Sequence, residues 1–270
     1  MDLEIARRTG FDGVEASSNK IEACLAAGFS ENKIREMVGH LDIPGVGFLI
    51  DVERQGSRKQ ELLDEAGRLI TMATTVGSKG IQVITGPLNV DAVKSLKTLP
   101  GIYRGLIDLP DDEQIELTVK NVRDIADRAA EHNLTVYFEA LAWTPLNTID
   151  KQLKVIEKSG RSNVKLIVDY WHCYASGDTP ERIAKIDKDL IYGVHICDSL
   201  KFDGGVPDEG VLRNVSTGEG VLNLQEWTDA VKSTGFVGWW SCELFSNRDH
   251  QDNTFKVAER LQSLMTGLVN

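Results

Sequence analysis

The sequence is poor in cysteine and histidine, has fewer basic than acidic residues, and contains no long apolar run. Its 4 cysteines, Cys24, Cys173, Cys197 and Cys242, form no CxxC pair, so a disulfide scaffold is not indicated and we expect free thiols. The 30 Lys and Arg against 41 Asp and Glu give a net charge of −11, which would repel a phosphate backbone and excludes nucleic acid as a partner. No stretch approaches the roughly 20 apolar residues of a membrane span, and the first residues lack an apolar signal core. We therefore expect a cytoplasmic protein without a membrane partner.

What the sequence does contain is enough apolar material for a sizeable core. Hydrophobic residues make up 41% of the 270 positions, and one α/β barrel uses up about this length. No low-complexity linker and no shift in composition divides the chain. We predict one domain that spans residues 1–270.

Helical stripes and β-branched runs alternate along the chain. The apolar positions Ile115, Val119, Val122 and Ile125 follow a helical stripe, and a strand begins in "LTVYFEA". The same order recurs as "NTIDKQLKVIEKSG" then "VKLIVD", and as "PERIAKID" then "IYGVHI". Parallel neighbours need crossover connections, so this alternation predicts a parallel sheet with helices outside it, as in a (β/α)8 TIM barrel.

Four consecutive predicted strands each end in a side chain that can bind a divalent cation. These residues are Glu139 after "TVYF", Asp169 after "KLIV", His195 after "YGV" and Glu243 after "WWSC". Barrel strands deliver their last residues to one face, where three confined carboxylates would repel one another unless a cation neutralises them. An oxygen-rich set with one nitrogen favours Mn²⁺ or Mg²⁺ and also suits Co²⁺ or Zn²⁺. The strand ends therefore predict one divalent metal ion as a cofactor.

Each of these four residues also has a plainer interpretation. An acidic residue after a strand is more often a helix cap, a loop salt bridge or a solvated end, and a single histidine is more often a satisfied core residue. The four residues together, at one rim of successive strands, favour the metal site.

Five segments resemble the xylose-isomerase-like barrel family, which contains endonuclease IV, inosose isomerases and dehydratases, ketose 3-epimerases and 3-dehydroshikimate dehydratases. They are, in this order, "YFEA", "VDYWH", "GVHICD", "STGEG" and "SCELF", and the similarity runs from about residue 10 to residue 265. The resemblance implies the same four metal ligands at the four strand ends. It also implies that His172 lies near the substrate and that Arg213 holds a substrate oxygen.

Two features depart from the family pattern. Most members begin with a strand before the helix that "DLEIARRTG" predicts, so we expect the first barrel strand to be lacking or truncated here. Exposed strand edges near "GVEAS" and "WWSCE" would follow, and the apolar surface beside them makes a homo-oligomer an expectation. The cluster of endonuclease IV uses many histidines, whereas this chain has 5 in total, which argues against DNA repair.

A metal flanked by two glutamates predicts enolisation chemistry. One of Glu139 and Glu243 removes a proton next to a carbonyl, and the other returns a proton to the enediolate. Return to the neighbouring carbon isomerises the substrate, and return to the opposite face epimerises it. Loss of a β-hydroxyl dehydrates it instead. We favour an isomerase or epimerase of a small ketose, inosose or keto-polyol. The alternatives are a metal-dependent dehydratase of the inosose or 3-dehydroshikimate type and a noncatalytic sugar-binding barrel.

The remaining candidate residues surround this centre. His172 either protonates a departing hydroxyl, binds a substrate hydroxyl, or orients Asp169 and its loop. Trp143 and Trp171 form an apolar wall against a sugar ring, or pack beneath the loops. The segment from residue 199 to residue 222 is long for a loop between strand and helix, so we expect it to cover the site and to bring Arg213 there.

Overall fold

A parallel sheet of seven strands forms the centre of the fold in the computed structural model, which describes residues 1–95 and 100–270. Strands that follow one another along the chain are neighbours in the sheet. The strands are β1 (Ala16–Ser17), β2 (Val46–Leu49), β3 (Gly80–Ile84), β4 (Thr135–Glu139), β5 (Val164–Asp169), β6 (Ile191–Ile196) and β7 (Trp239–Cys242).

Helices connect the strands and cover the outside of the sheet. They are α1 (Asp2–Thr9), α2 (Ser18–Ala26), α3 (Glu31–Val38), α4 (Ser57–Val76), α5 (Asp91–Lys94), α6 (Asp111–Ala130), α7 (Ile149–Ser159), α8 (Tyr170–Ser176), α9 (Pro180–Ile183), α10 (Glu209–Leu212), α11 (Leu224–Ser233), α12 (Asn247–Gln251) and α13 (Thr254–Val269), with a 3₁₀ turn at Lys188–Leu190. Within the residues described, no helix is both long and apolar enough to cross a membrane.

Helix α6 shows why the predicted stripes fold as they do. Its positions Ile115, Val119, Val122 and Ile125 are at most 1% exposed and join the core cluster against β4 and α7. Burial of each such side chain contributes about 1.5–3 kcal/mol to folding, which is enough to select the helical face.

The two ends of the sheet are β1 and β7. Ala16 of β1 pairs with Val46 of β2, and Ile196 of β6 pairs with Cys242 of β7, but β7 does not pair with β1. In the described part of the chain no eighth strand lies between them. The predicted TIM-barrel fold is confirmed as a curled parallel sheet with helices outside it, with seven strands in the described residues.

The strand register brings the predicted site residues to one rim. Glu139 pairs with Ile84, Asp169 pairs with His195, and His195 pairs with Ser241, so β3 to β7 finish at similar heights. Glu243 follows the last residue of β7 directly. All neighbouring strands pair in parallel, so the side chains at these strand ends share one face of the barrel.

Candidate metal centre

The four predicted metal ligands lie together at the rim. Glu139, Asp169, His195 and Glu243 each offer one ligand atom, and these atoms lie within 4.8 Å of one another. The Nδ1 atom of His195 lies 3.1 Å from Glu139 Oε1, 3.7 Å from Asp169 Oδ2 and 3.5 Å from Glu243 Oε1. Glu139, Asp169 and His195 are buried, and Glu243 is partly exposed. The cluster is a potential binding site for a metal ion.

The carboxylates of the cluster differ in how burial and charge affect them. Burial raises the pKa of Glu139 to about 7, although the hydrogen bond with His195 opposes this. Burial also disfavours ionisation of Asp169, but the nearby imidazoles and the Arg213 guanidinium bring its pKa well below the usual range. For Glu243 the charges of His195 and Arg213 likewise outweigh burial and lower the pKa.

The imidazole of His195 responds to the same field. Burial would lower its pKa, but Glu15, Glu243 and the other carboxylates raise it well above the ordinary value. The cluster therefore concentrates negative charge around one nitrogen in a buried place. Three carboxylates and one imidazole are the donor set of an oxygen-rich divalent metal site, and a divalent cation fits here because it would neutralise charge that burial makes costly.

Asp169 has two tasks that are divided between its two oxygens. Its Oδ1 accepts a hydrogen bond from the backbone N–H of His172 at 2.7 Å and so caps α8. Its Oδ2 faces the cluster, at 3.7 Å from His195 Nδ1 and 3.9 Å from Arg213 Nη2. The helix-cap interpretation and the ligand interpretation of this residue are therefore compatible.

Each of the two glutamates also uses one carboxylate oxygen to accept a hydrogen bond from outside the cluster. Glu139 Oε2 accepts a hydrogen bond of 2.7 Å from the side-chain amide of Gln82, while Glu243 Oε2 accepts one of 2.8 Å from Arg213 Nη2. The Oε1 atoms of both glutamates point toward His195 Nδ1. The outer oxygen of Glu139 thus meets a neutral donor, and that of Glu243 meets a charged one.

The second ring nitrogen of His195 is bound on the opposite side. Its Nε2 lies 2.8 Å from Glu15 Oε2, and the hydroxyl of Tyr137 donates a hydrogen bond of 2.8 Å to Glu15 Oε1. With a metal ion bound, donation from Nε2 to Glu15 would favour the tautomer whose Nδ1 lone pair faces the metal.

His172 has a defined hydrogen-bonding state. Its Nδ1 accepts a hydrogen bond of 3.0 Å from the backbone N–H of Ala142, so the neutral ring has its proton on Nε2. Burial lowers the pKa of His172 to about 4. The Nε2 atom lies 3.9 Å from Glu209 Oε1.

Arg213 reaches the centre from the long connection between β6 and α11. Its guanidinium is buried, donates from Nη1 to Glu209 Oε1 at 2.9 Å and from Nη2 to Glu243 Oε2 at 2.8 Å, and covers the ring of Phe245 at 3.9 Å. Asp198 organises this connection, because its carboxylate accepts hydrogen bonds from four backbone N–H groups. These belong to Ser199, Gly218, Gly220 and Leu222.

The two tryptophans occupy different places. Trp143 lines a cavity together with Glu209 and donates its indole N–H to the carbonyl of Pro87 at 3.0 Å. Trp171 has no exposed surface and packs edge-on against His172, with ring centroids 4.8 Å apart.

Sequence reasoning did not identify three residues of the site, Glu15, Gln82 and Glu209. Glu15 in "GVEAS" and Gln82 in "IQVIT" are polar residues within apolar strand runs, a signal that was present in the sequence. Glu209 lies in a loop of mixed composition, where no pattern distinguishes it from its neighbours.

Comparison with known proteins defines the class. Residues 3–265 match the family described as xylose isomerase-like TIM barrel, so the chain belongs to this family and the resemblance predicted from its motifs is confirmed. An inosose isomerase of Bacillus velezensis is 25% identical over 269 residues, which cover 96% of this chain and 88% of that protein. A 3-dehydroshikimate dehydratase of Pseudomonas putida is also 25% identical, over 98% of this chain, but the match spans only 38% of the length of that protein.

Solved structures agree on the fold. The IolI protein with a binding zinc atom superimposes with a TM-score of 0.85 at 19% identity, covering 99% of this chain and 91% of that one. The 3-keto-D-glucoside 4-epimerase YcjR of E. coli superimposes with a TM-score of 0.72 at 19% identity, over 98% of this chain and 92% of that one.

Proposed function

We propose that the protein is a divalent-metal-dependent isomerase or epimerase that acts on a small ketose or inosose through an enediolate. The observation that carries the proposal is the convergence of Glu139, Asp169, His195 and Glu243, in which each glutamate holds one oxygen toward the cluster and one toward a separate donor. The match to an inosose isomerase, which covers 88% of the length of that enzyme, supports the same class.

Glu139, Asp169, His195 and Glu243 would hold the metal ion. When bound, a divalent cation supplies positive charge that stabilises the negative charge developing on a substrate oxygen. The oxygen-rich donor set favours Mn²⁺ or Mg²⁺. Zn²⁺ and Co²⁺ are also compatible, and a relative of the same fold, IolI, is known with zinc.

The chain's own groups would move the proton. Glu139 is the better acceptor, because its outer oxygen is held only by the neutral amide of Gln82. The guanidinium of Arg213 orients Glu243 and keeps it ionised, which makes its protonated form the stronger acid and suits it to return the proton. The Nε2–H group of His172 would donate to a substrate hydroxyl. Trp143 would form the apolar wall, with Trp171 packed behind His172.

A metal-dependent dehydratase of the inosose or 3-dehydroshikimate type is the second candidate. The observation that favours it is the match of 98% of this chain to a 3-dehydroshikimate dehydratase. Dehydration would begin with the same proton abstraction and would require a group that protonates the departing hydroxyl, the role considered for His172.

The test is solvent deuterium exchange, because all these reactions share the first proton transfer. The metal-loaded protein is incubated in D₂O with an inosose, with ketoses and with 3-dehydroshikimate, and proton NMR follows the C–H group next to the carbonyl. We expect exchange with at least one substrate and a loss of about a hundredfold or more in Glu139→Gln and in Glu243→Gln. The exposed Glu219→Gln, on the same long connection as Arg213, serves as the matched control.

The outcomes separate the candidates. Deuterium in an isomeric or epimeric sugar identifies the isomerase or epimerase, and a product with a double bond conjugated to the carbonyl, seen by its ultraviolet absorbance, identifies the dehydratase. A folded, metal-containing protein that binds a sugar without any exchange is the noncatalytic barrel. A protein that takes up no divalent metal, beside an Asp169→Ala variant that behaves identically, contradicts the proposal.

We also propose that the protein works in the cytoplasm on a small molecule, without nucleic acid or membrane partners, and that it forms a homo-oligomer. The edges of β1 and β7, which do not pair with each other in the described sheet, support association. Light scattering that shows a clean monomer would reject the oligomer.

A further inference from the structure

A cavity that reaches Glu209, whose carboxylate binds the Arg213 guanidinium, is acidic where it meets the long connection. Leu88, Val90 and Trp143 line one side, and Asp208, Glu209 and Gly210 line the other. Asp208 pairs with Lys94 at 2.5 Å, and both side chains are more than a third exposed, so this pair lies at the outer rim. Glu209 is the more buried of the two acids, and the lining named here contains no basic side chain.

Arg213 does not compensate for this acidity. Its guanidinium is buried and divides its two terminal nitrogens between Glu209 and Glu243, so that one positive charge already faces two carboxylates. A substrate carboxylate or phosphate that approached this guanidinium would compete with Glu209 and Glu243 for it, and beside Glu209 it would meet a like charge.

The side chains of His172 and Glu209 face each other without a direct hydrogen bond between them. His172 Nε2 and Glu209 Oε1 are 3.9 Å apart, too far for a direct hydrogen bond. Because the Ala142 N–H occupies Nδ1, the Nε2 atom of neutral His172 is a donor, while the Glu209 carboxylate is an acceptor. A donor and an acceptor at this separation match a hydroxyl, which accepts one hydrogen bond and donates the other.

We propose that His172 and Glu209 form a hydroxyl-recognition pair that restricts the substrate to a neutral polyhydroxylated ketone and rejects carboxylated and phosphorylated rings. The inference rests on the proposed enolisation function of the adjacent metal centre and specifies its substrate class. Within that function it favours an inosose or free ketose over 3-dehydroshikimate, which has a ring carboxylate.

Isothermal titration calorimetry of the metal-loaded protein with one neutral and one anionic ring tests this proposal. The probes are an inosose and 3-dehydroshikimate, and the proteins are the wild type, Glu209→Gln and the control Glu219→Gln. We expect the wild type to bind the inosose at least about tenfold more tightly than 3-dehydroshikimate. Glu209→Gln keeps an acceptor oxygen but loses the charge, so the preference should fall by about tenfold, whereas Glu219→Gln should leave it unchanged.

Two results would overturn the proposal. A wild-type protein that binds 3-dehydroshikimate as tightly as the inosose rejects it without any variant, which keeps the test valid even if Glu209→Gln misfolds. A Glu209→Gln variant that weakens both ligands equally shows that Glu209 only positions Arg213. The ratio of the two affinities does not require the protein to be a catalyst. If the wild type prefers the inosose but catalyses no deuterium exchange, the enolisation function is rejected and the hydroxyl-recognition pair is not.

Discussion

Removal of the carboxylate behind His195 should weaken both the fold and the metal centre. Glu15 accepts hydrogen bonds from two buried groups, the Nε2–H of His195 and the hydroxyl of Tyr137, each at 2.8 Å. In Glu15→Ala both donors lose their partner, and an unsatisfied buried group costs about 1–3 kcal/mol. Glu15 is itself partly exposed, so water reaches the gap, and we expect a loss of about 2–3 kcal/mol in the free energy of unfolding.

The same variant should bind metal about 10- to 100-fold more weakly, since the partner that orients the imidazole is gone. Urea unfolding measures the first effect, and competition with a chelator measures the second. Glu15→Gln keeps an acceptor and a donor without the charge and should lie between wild type and Glu15→Ala in both assays. Glu22→Ala, an exposed change in α2, is the control. Wild-type stability and a metal affinity within twofold in Glu15→Ala would refute the assignment of Glu15 as the support of His195.

Further predictions concern groups away from the four ligands. Burial raises the pKa of Glu53 to about 7, above its unfolded value, so its contribution is fully present at acidic pH and is lost as the pH rises. Relative to Glu53→Gln, the wild type should therefore lose about 2 kcal/mol of unfolding free energy between pH 5 and pH 8. Urea unfolding of both proteins at each pH measures this, and a wild-type-minus-variant difference that is the same at pH 5 and pH 8 would contradict it. Asp198→Ala removes the acceptor of four backbone N–H groups and should make residues 199–222 sensitive to limited proteolysis, while the exposed Asp203→Ala in the same segment should not. Gly220→Ala should act in the same direction, because a Cβ atom there would lie 2.2 Å from Asp198 Oδ1, and an unchanged cleavage pattern would count against this packing.

The sequence predicted the fold and the four-residue cluster because both follow from strand direction. Parallel strands that finish on apolar runs bring Glu139, Asp169 and His195 to one rim whatever the details of packing, and the structure places them there. The sequence could not show whether Asp169 is a helix cap or a metal ligand. In the structure its Oδ1 caps α8 and its Oδ2 faces the cluster, so the two interpretations do not compete. Glu15 lies 180 positions from the histidine it supports, and only the curvature of the sheet brings them together.

Loop contacts were the least predictable part of the site. The path of residues 199–222 depends on the four hydrogen bonds of Asp198, and no periodic pattern encodes them. Arg213 was placed near the centre by resemblance, but its pairing with Glu209 depends on the geometry of α10. The extent of the domain over residues 1–270 and the roles of the individual site residues stay predictions.

Arg213 couples the order of a surface connection to the arrangement of the centre. The side chain is fixed by the folded segment between β6 and α11, yet it holds an oxygen of Glu243 in the cluster. Thermodynamic linkage is reciprocal. If order in this segment helps to align Glu243 for a metal ion, then binding of the metal ion stabilises the ordered segment by the same free energy. Binding of a metal ion at the rim is therefore expected to slow amide hydrogen exchange throughout the segment that carries Arg213.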